Sequence, residues 1–301
     1  MIKELSILLP VYNTDCYRFV MELKKQADGI AFLHYEIIVA EDGSSDKLSL
    51  ESNFALIAQT NCIYIKRTIN IGRSAIRNYL AKRAKYNWVL FVDAGLDVMD
   101  KNFIIRYVSL VPSPLYVYYG GCTVPQPNDR LLKNLRYCYE RQFNNKQKSS
   151  LKRSVNMHFR SCNFLCAKNI LEKNPFDENF KKYGYEDVLW GKSLFQSGIH
   201  VKFINNMLIY KEFETNNQFL SKAHEALHTL CMFHEALKGY SSLLSLYLLF
   251  KKLNLSFLLR LEFKLFGAWQ YKKLLSEKPS IPLFQLYRIG YFSILMNNMN
   301  K

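Results

Sequence analysis

Asn87-Trp88-Val89-Leu90-Phe91-Val92-Asp93-Ala94-Gly95-Leu96-Asp97 is an apolar run that breaks abruptly into carboxylates. Five consecutive apolar residues, bounded by Asn87 and an Ala-Gly pair, are too short for a helix and suit a strand buried on both faces. Strands of that kind belong in the middle of a parallel sheet. In an open α/β sheet, ligands sit beyond the carboxyl ends of the strands, which is where Asp93 falls. A carboxylate there can hold a hard cation that in turn holds phosphate oxygens. It can equally cap the turn after a core strand, because Asp is a common turn residue.

Working outward from this strand, the same pattern recurs. Leu5 to Leu9 reads as a strand closed by Pro10-Val11-Tyr12-Asn13, after which Tyr17, Val20, Met21 and Leu23 recur at helical spacing. His34 to Ala40 is a second strand that runs into Glu41-Asp42-Gly43-Ser44-Ser45-Asp46, a corner with a carboxylate at its tip and three capping residues behind it. Cys62 to Ile65 is a third, leading through Asn70-Ile71-Gly72 into a basic helix with Arg73 and Arg77. Repeated βα alternation predicts an α/β fold with a three-layer, mostly parallel sheet. Leu115 to Tyr119 and Phe159 to Phe164 add further strands, and from Asn216 the pattern is helical to the end.

Composition narrows the function. The chain has 301 residues, 49% of them hydrophobic and 22% charged, which describes an ordered globular protein of one larger domain with an appendage. A net charge of +16 points to nucleic acid, an anionic membrane surface or polyanionic small molecules such as sugar nucleotides. No zinc finger, RNP-type or helix-turn-helix signature accompanies the charge, so nucleic acid is set aside. Seven scattered cysteines without a CxxC pair suit a reducing cytosol and no zinc site. The amino terminus lacks the pattern of a signal peptide, and no stretch approaches the roughly 20 apolar residues of a spanning helix. The expectation is a cytoplasmic protein, peripheral on the inner face of the membrane.

There is no GxGxxG and no P-loop pattern, so neither the dinucleotide fingerprint nor the Walker motif is available. PVYN after the first strand, EDGSSD after the second, NIGRSAIRN before the fourth and FVDAG at its end, in that order, resemble an inverting family 2 glycosyltransferase of the GT-A (nucleotide-diphospho-sugar transferase) fold. The resemblance covers about residues 1–215, with 216–301 as a carboxyl-terminal helical extension. It implies that Asp42 pairs with the base of the nucleotide, usually uracil, and so serves binding more than the fold. It further implies that Pro10, Tyr12 and Asn13 lie under the nucleoside, that Arg73 and Arg77 lie near the diphosphate, and that Asp93 holds a divalent cation, Mn²⁺ or Mg²⁺. Guanidinium forks at a helix amino terminus are well placed for phosphate oxygens, although either arginine could also belong to a solvated helix face.

A second chemically loaded stretch is Tyr183-Gly184-Tyr185-Glu186-Asp187-Val188-Leu189-Trp190-Gly191. Acids in the first turn of a helix are favoured by its dipole, so a structural cap is one reading. The other follows from resemblance to the Gly-x-Glu-Asp turn of family 2 and galactosyltransferase-like enzymes, whose Asp is the catalytic base: here Asp187, with Glu186 orienting the acceptor. Asn163 and Trp190 join Glu186 as expected acceptor contacts, and the basic segment 123–157 reads as a mobile loop or surface helix over the cleft.

The chain departs from the family at the metal. Where the motif is Asp-x-Asp, this sequence has Asp93-Ala94-Gly95, with Asp97 two residues further on as a candidate second ligand. Lys211 stands where the family often has a metal-binding His, and a charged lysine cannot ligate a cation. Lys211 is therefore expected to substitute in part for the cation's charge. The function expected is transfer of a sugar from a nucleotide sugar, UDP-linked, to a glycan or lipid-linked acceptor in surface polysaccharide biosynthesis. The competing reading is a catalytically impaired partner subunit that binds nucleotide or glycan. The aromatic and basic segment from Leu243 to Tyr291 resembles an interfacial amphipathic region, or else packs on the catalytic domain or on a second copy in a homodimer.

Overall fold

Short apolar runs alternating with helical periodicity build a sheet whose strands run, for the most part, in one direction. In the computed structural model of the chain, residues 1–150 and 159–299 are described. Lys152 and Arg153 of the basic segment lie outside them. In chain order the elements are β1 (Glu4–Val11), α1 (Tyr17–Asp28), β2 (His34–Asp42), α2 (Lys47–Phe54), β3 (Cys62–Arg67), α3 (Arg73–Arg83), β4 (Trp88–Val92) and β5 (Leu96–Val98). There follow α4 (Phe103–Val108), β6 (Tyr116–Tyr119), β7 (Cys122–Thr123), α5 (Asp129–Leu132), α6 (Leu135–Ser150), β8 (Asn163–Ala167), α7 (Lys168–Lys173) and α8 (Glu186–Gln196). The chain closes with β9 (His200–Phe203), β10 (Leu208–Tyr210), α9 (Asn216–Met232), α10 (Ser242–Lys252), α11 (Ser256–Leu274) and α12 (Ile281–Met299).

Two units form. The first gathers residues 1–123, 150–181 and 190–212; the second gathers 124–149, 182–189 and 213–301. A boundary drawn from sequence at residue 215 treats each unit as one contiguous piece. In the structure the second unit also takes α5, most of α6 and the turn before α8, because Leu135 joins Phe219, Leu220, Leu274, Phe284 and Tyr287 in one apolar core.

The first unit carries a seven-stranded sheet in the order β3-β2-β1-β4-β8-β6-β9, with β1 to β4 parallel and β8 antiparallel to both neighbours. A three-stranded sheet, β5-β10-β7, stands beside it. After β1 the chain winds one way through β2 and β3, then returns to lay β4 on the other side of β1. The carboxyl ends of β1 and β4 therefore flank the point where the winding reverses, the place where open α/β sheets bind ligands. Val89 to Val92 of β4 are all buried, as their unbroken apolar run requires. β5 and β9 carry too few apolar residues in alternation to have been expected, and β8 begins at Asn163 instead of Phe159.

Phe159 contributes to an aromatic cluster. Phe91 stacks on Phe164 at 5.0 Å between centroids, and Trp190 stacks on Phe176 at 4.5 Å while tilting against Phe159 and Phe164. The Trp190 indole N–H donates to the Asn174 carbonyl at 2.7 Å, and the residue is 2% exposed. This corrects the expectation that Trp190 meets an acceptor: the ring is a core residue with its one polar group satisfied. Asn163, also expected at the acceptor, is buried as well. It accepts from the Tyr107 hydroxyl at 2.7 Å and donates to the Gly121 and Asn206 carbonyls at 2.8 Å each, closing the corner after β6. Removing so large a buried ring costs about 3 to 5 kcal/mol. We expect Trp190→Ala to lower the unfolding free energy by that amount in urea titration; a change under about 1 kcal/mol would take the ring out of the core.

Candidate active site

Two adjacent acids end β2, and because successive side chains on a strand point to opposite faces, each serves a different neighbour. Glu41 accepts from Asn53 Nδ2 at 2.8 Å and from the Ser44 hydroxyl. Asn53, fully buried on α2, also donates to the Thr14 carbonyl at 2.9 Å and accepts the Cys16 N–H at 2.9 Å, so it fixes the turn that leaves β1. Asn13, in the left-handed region at φ 48°, accepts the N–H groups of Ser45 and Asp46 at 2.7 and 3.0 Å. The turns after β1 and β2 are thereby stitched together, with Pro10 half-buried and Tyr12 exposed beside them.

Asp42 faces the other way. Its two oxygens accept the N–H groups of Ile71 and Gly72 at 2.9 and 3.1 Å, in the loop that opens α3. The residue is 4% exposed. Burial pushes its carboxyl above the usual range, opposed by the two backbone N–H groups and by Arg67. A residue on the neighbouring strand thus caps α3, where Gly72 offers no side chain to do so. Gly43 lets this loop approach: at φ 71° it lies so close to Asn70 that an added Cβ would stand 2.4 Å from that residue's nitrogen. A cavity of about 370 Å³ opens here, lined by Asn70, Ile71, Gly72, Ala75, Glu178 and Lys181.

One turn into α3, Arg77 is 1% exposed and donates from Nη2 to Asp93 Oδ1 at 2.8 Å. Its Nη1 bonds the Arg73 carbonyl at 3.1 Å, and its Nε has no partner among the described residues. Arg73 reaches the other oxygen of Asp93 at 3.5 Å. Asn78, next to Arg77, holds the backbone of Phe176 in both directions and belongs to the fold. The sequence-predicted Arg73, Arg77 and Asp93 are thus brought together at the β4 end of the switch point.

The donor set does not fit a divalent cation. Asp93 is engaged by two guanidinium groups, and Gly95, where the family pattern has its second acid, offers only a carbonyl, which accepts the Lys211 N–H at 3.3 Å. Asp97, the candidate second ligand, sits within β5 opposite Ile209. No group of three or more His, Cys, Asp or Glu able to hold a metal occurs among the described residues. The Lys211 ammonium adds positive charge near the end of β1. Burial pushes the Cys16 thiol up, Glu41 and Asp15 add to that, and Lys211 acts in the opposite direction.

In the second unit, α9 begins with a capping box of Thr215 and Gln218 and carries the residues that hold the Gly-Tyr-Glu-Asp turn. Glu225 accepts the Tyr183 N–H at 3.1 Å and Thr229 donates to the Tyr183 carbonyl at 3.1 Å. Gly184 at φ 103° packs against Ala226, where an added Cβ would stand 2.7 Å from that side chain, and Tyr185 follows at φ 68°. Tyr185, a non-glycine residue in the left-handed region, is a strained position kept in place by its surroundings. Glu186 is buried and accepts the Gly184 N–H at 3.2 Å, so the structure corrects its expected contact with an acceptor: it braces the turn. Asp187, half-buried, accepts the Val188 N–H at 2.8 Å in the first turn of α8.

Sequence reasoning passed over Glu41 and Asn53. The acid beside Asp42 was a signal for the first; a lone Asn in an amphipathic stretch gave none for the second. It also took Asp42 to have little bearing on the fold, whereas losing it leaves the Ile71 N–H without its acceptor, at about 1 to 3 kcal/mol, while the Gly72 N–H keeps the Asn70 side-chain oxygen at 3.0 Å. We expect Asp42→Ala to be destabilised by about that amount in urea. Unchanged stability would show that the loop holds itself.

An uncharacterized glycosyltransferase of Haemophilus influenzae is 29% identical over 111 residues, 34% of this chain and 42% of that protein, so the match spans less than half of the relative's length. Among solved structures, the mannosyltransferase PcManGT from Pyrobaculum calidifontis, in complex with GDP-Man and Mn²⁺, superposes with a TM-score of 0.59 at 12% identity, covering 98% of this chain and 86% of that one. TarS 1-349 of S. aureus with UDP-GlcNAc gives 0.52 at 14% identity, over 99% and 91%. These likenesses are of fold, the GT-A type. The sequence model of the family described as "Glycosyl transferase family 2" matches residues 6–174, more than half of the 301, from the core of β1 to the end of α7. The chain belongs to glycosyl transferase family 2.

Proposed function

We propose that the chain transfers a sugar from a nucleoside-diphosphate donor, with uridine as the nucleoside, to a hydroxyl of a glycan or lipid-linked glycan, with inversion. The observation that carries this reading is the convergence of Arg73 and Arg77 on Asp93 at the switch point, where the Arg77 side chain is buried and the Arg73 side chain is 42% exposed. A guanidinium open to solvent at the carboxyl ends of the strands, backed by a second one, is suited to phosphate oxygens. TarS, of like fold, has UDP-GlcNAc in its complex, and PcManGT has GDP-Man.

Asp42 has further lone pairs with which to meet the base, and Pro10, Tyr12 and Asn13 support the nucleoside. Arg77, Arg73 and Lys211 neutralise the charge that grows on the leaving diphosphate, with Asp93 orienting the guanidinium groups. Preorganised charge of this kind needs no rearrangement as the bond breaks. Asp187 accepts the proton of the attacking hydroxyl, and Glu186 is a positioning residue that acts through the turn. The displacement is direct, without a covalent enzyme intermediate. Surface polysaccharide synthesis is the setting that fits such an acceptor.

A second reading is favoured by one observation, that Asp93 is occupied by arginines next to Ala94-Gly95: the chain is a nucleotide- or glycan-binding partner subunit without turnover. Incubation with a panel of nucleotide sugars separates the two, since slow donor hydrolysis belongs to the first reading alone. For a general base worth roughly 10² to 10⁴ in rate, we expect Asp187→Asn to lower transfer at least about a hundredfold with UDP affinity unchanged in calorimetry. Full turnover by that variant would remove Asp187 from the role. We also expect UDP affinity to persist in EDTA for the wild-type chain and to fall about tenfold or more in Lys211→Ala. If EDTA abolishes binding and Lys211→Ala does not matter, an ordinary metal site operates instead.

A further inference from the structure

α11 is apolar on two opposite sides, and only one of them is covered. Leu259, Gly267, Gln270 and Leu274 form its buried side, with Phe263 against Tyr287 and Tyr291 of α12. On the far side Leu258, Leu261, Leu265 and Trp269 recur three or four residues apart and are 43%, 50%, 66% and 58% exposed. This spacing places them in one stripe along the helix. Phe257 and Phe266 widen it, both about half exposed. α10 repeats the arrangement: Leu243, Leu244 and Tyr247 are buried, while Leu246, Leu249 and Leu253 stand exposed at the same spacing. Scattered exposed leucines are ordinary, but two continuous stripes on consecutive helices are not.

The charges around the stripes identify what would cover them. From Ser241 to Ser276 the chain holds six basic residues, Lys251, Lys252, Arg260, Lys264, Lys272 and Lys273, and one acid, Glu262. The five lysines are exposed, and Lys264 and Lys273 flank the α11 stripe on either side. Glu262 accepts a hydrogen bond from Gln270 on the helix's covered side. A solvent-exposed apolar stripe edged by lysines, with Trp and Phe along it, matches a layer of anionic headgroups over acyl chains. No single helix among the described residues is long and apolar enough to cross a membrane, and α10 and α11 meet at a bend of 114°, which suits two helices lying along a surface.

We propose that the exposed face of α10 and α11 is a binding surface for an anionic lipid bilayer, with Leu258, Leu261, Leu265 and Trp269 entering the interface and the lysines on the headgroups. The proposal rests on the second unit alone and stands apart from the reading of the nucleotide site. Flotation of the full chain with vesicles of phosphatidylcholine, with and without phosphatidylglycerol, tests it. Recovery should require the anionic lipid, decline as salt rises, and fall at least tenfold in the double variant Leu261→Glu, Leu265→Glu, whose circular dichroism should match wild type because both side chains face solvent. Brominated lipid should quench tryptophan fluorescence, and Trp269→Phe should remove that quenching, since Trp190 is buried and Trp88 half-buried in the sheet unit. Absence of recovery on anionic vesicles, or recovery and quenching indifferent to these substitutions, would overturn the proposal. So would a dimer in sedimentation equilibrium that the double variant abolishes, which would make the face an interface between copies.

Discussion

Burying a carboxylate is costly unless its oxygens are answered, and the end of β2 places two in succession. The solution found here organises the carboxyl edge of the first unit's sheet. Glu41 is answered through Asn53 and Ser44 and so fixes the exit from β1; Asp42 is answered by the backbone of Ile71 and Gly72 and so fixes the entrance to α3. With α3 held at its first residues, Arg73 and Arg77 are delivered to Asp93 at the end of β4. Strand pairing brings the strands side by side, but these two acids set the loops between them.

The arginines at Asp93 set the charge at the β4 end of the switch point. An ion pair taken out of water returns little net stability, because desolvation offsets the attraction. Its value here is positional: Asp93 holds a guanidinium, buried against the Phe176 ring at 5.7 Å, in a fixed orientation at the end of β4. The loss of a second acid at Gly95 and the presence of Lys211 move the local charge in the same positive direction. A cation-binding turn and a turn that is itself cationic present opposite charge to a metal and the same charge to a phosphate, so the two kinds of site can occupy one place in the fold.

The second unit raises a different problem. Its core is small and aromatic, built of Phe219, Phe284 and Tyr287 with leucines from α6, α9 and α11. His224 ties α9 to α12 through the Tyr287 hydroxyl at 2.8 Å, and burial keeps that imidazole below its ordinary range. None of this uses the outward leucines of α10 and α11. Stability within the unit does not account for them.

Much of the first unit could be read from the chain alone. Apolar runs of strand length followed by Gly, Asp or Ser corners located β1 to β4 and the helices between them, because these patterns are local and each is set by its own periodicity. The motifs in register marked Asp42, Arg73, Arg77 and Asp93 as neighbours. What the sequence could not supply was the partner of each polar group. That Asp42 holds Ile71 and Gly72, that Arg77 leans on Asp93 and that Trp190 and Asn163 are core all depend on contacts between residues distant along the chain. The same holds for α11, whose two apolar sides look alike in sequence. Only the packing of α12 against one of them decided which side is inside, because burial is a property of the neighbours a face acquires and not of the face itself.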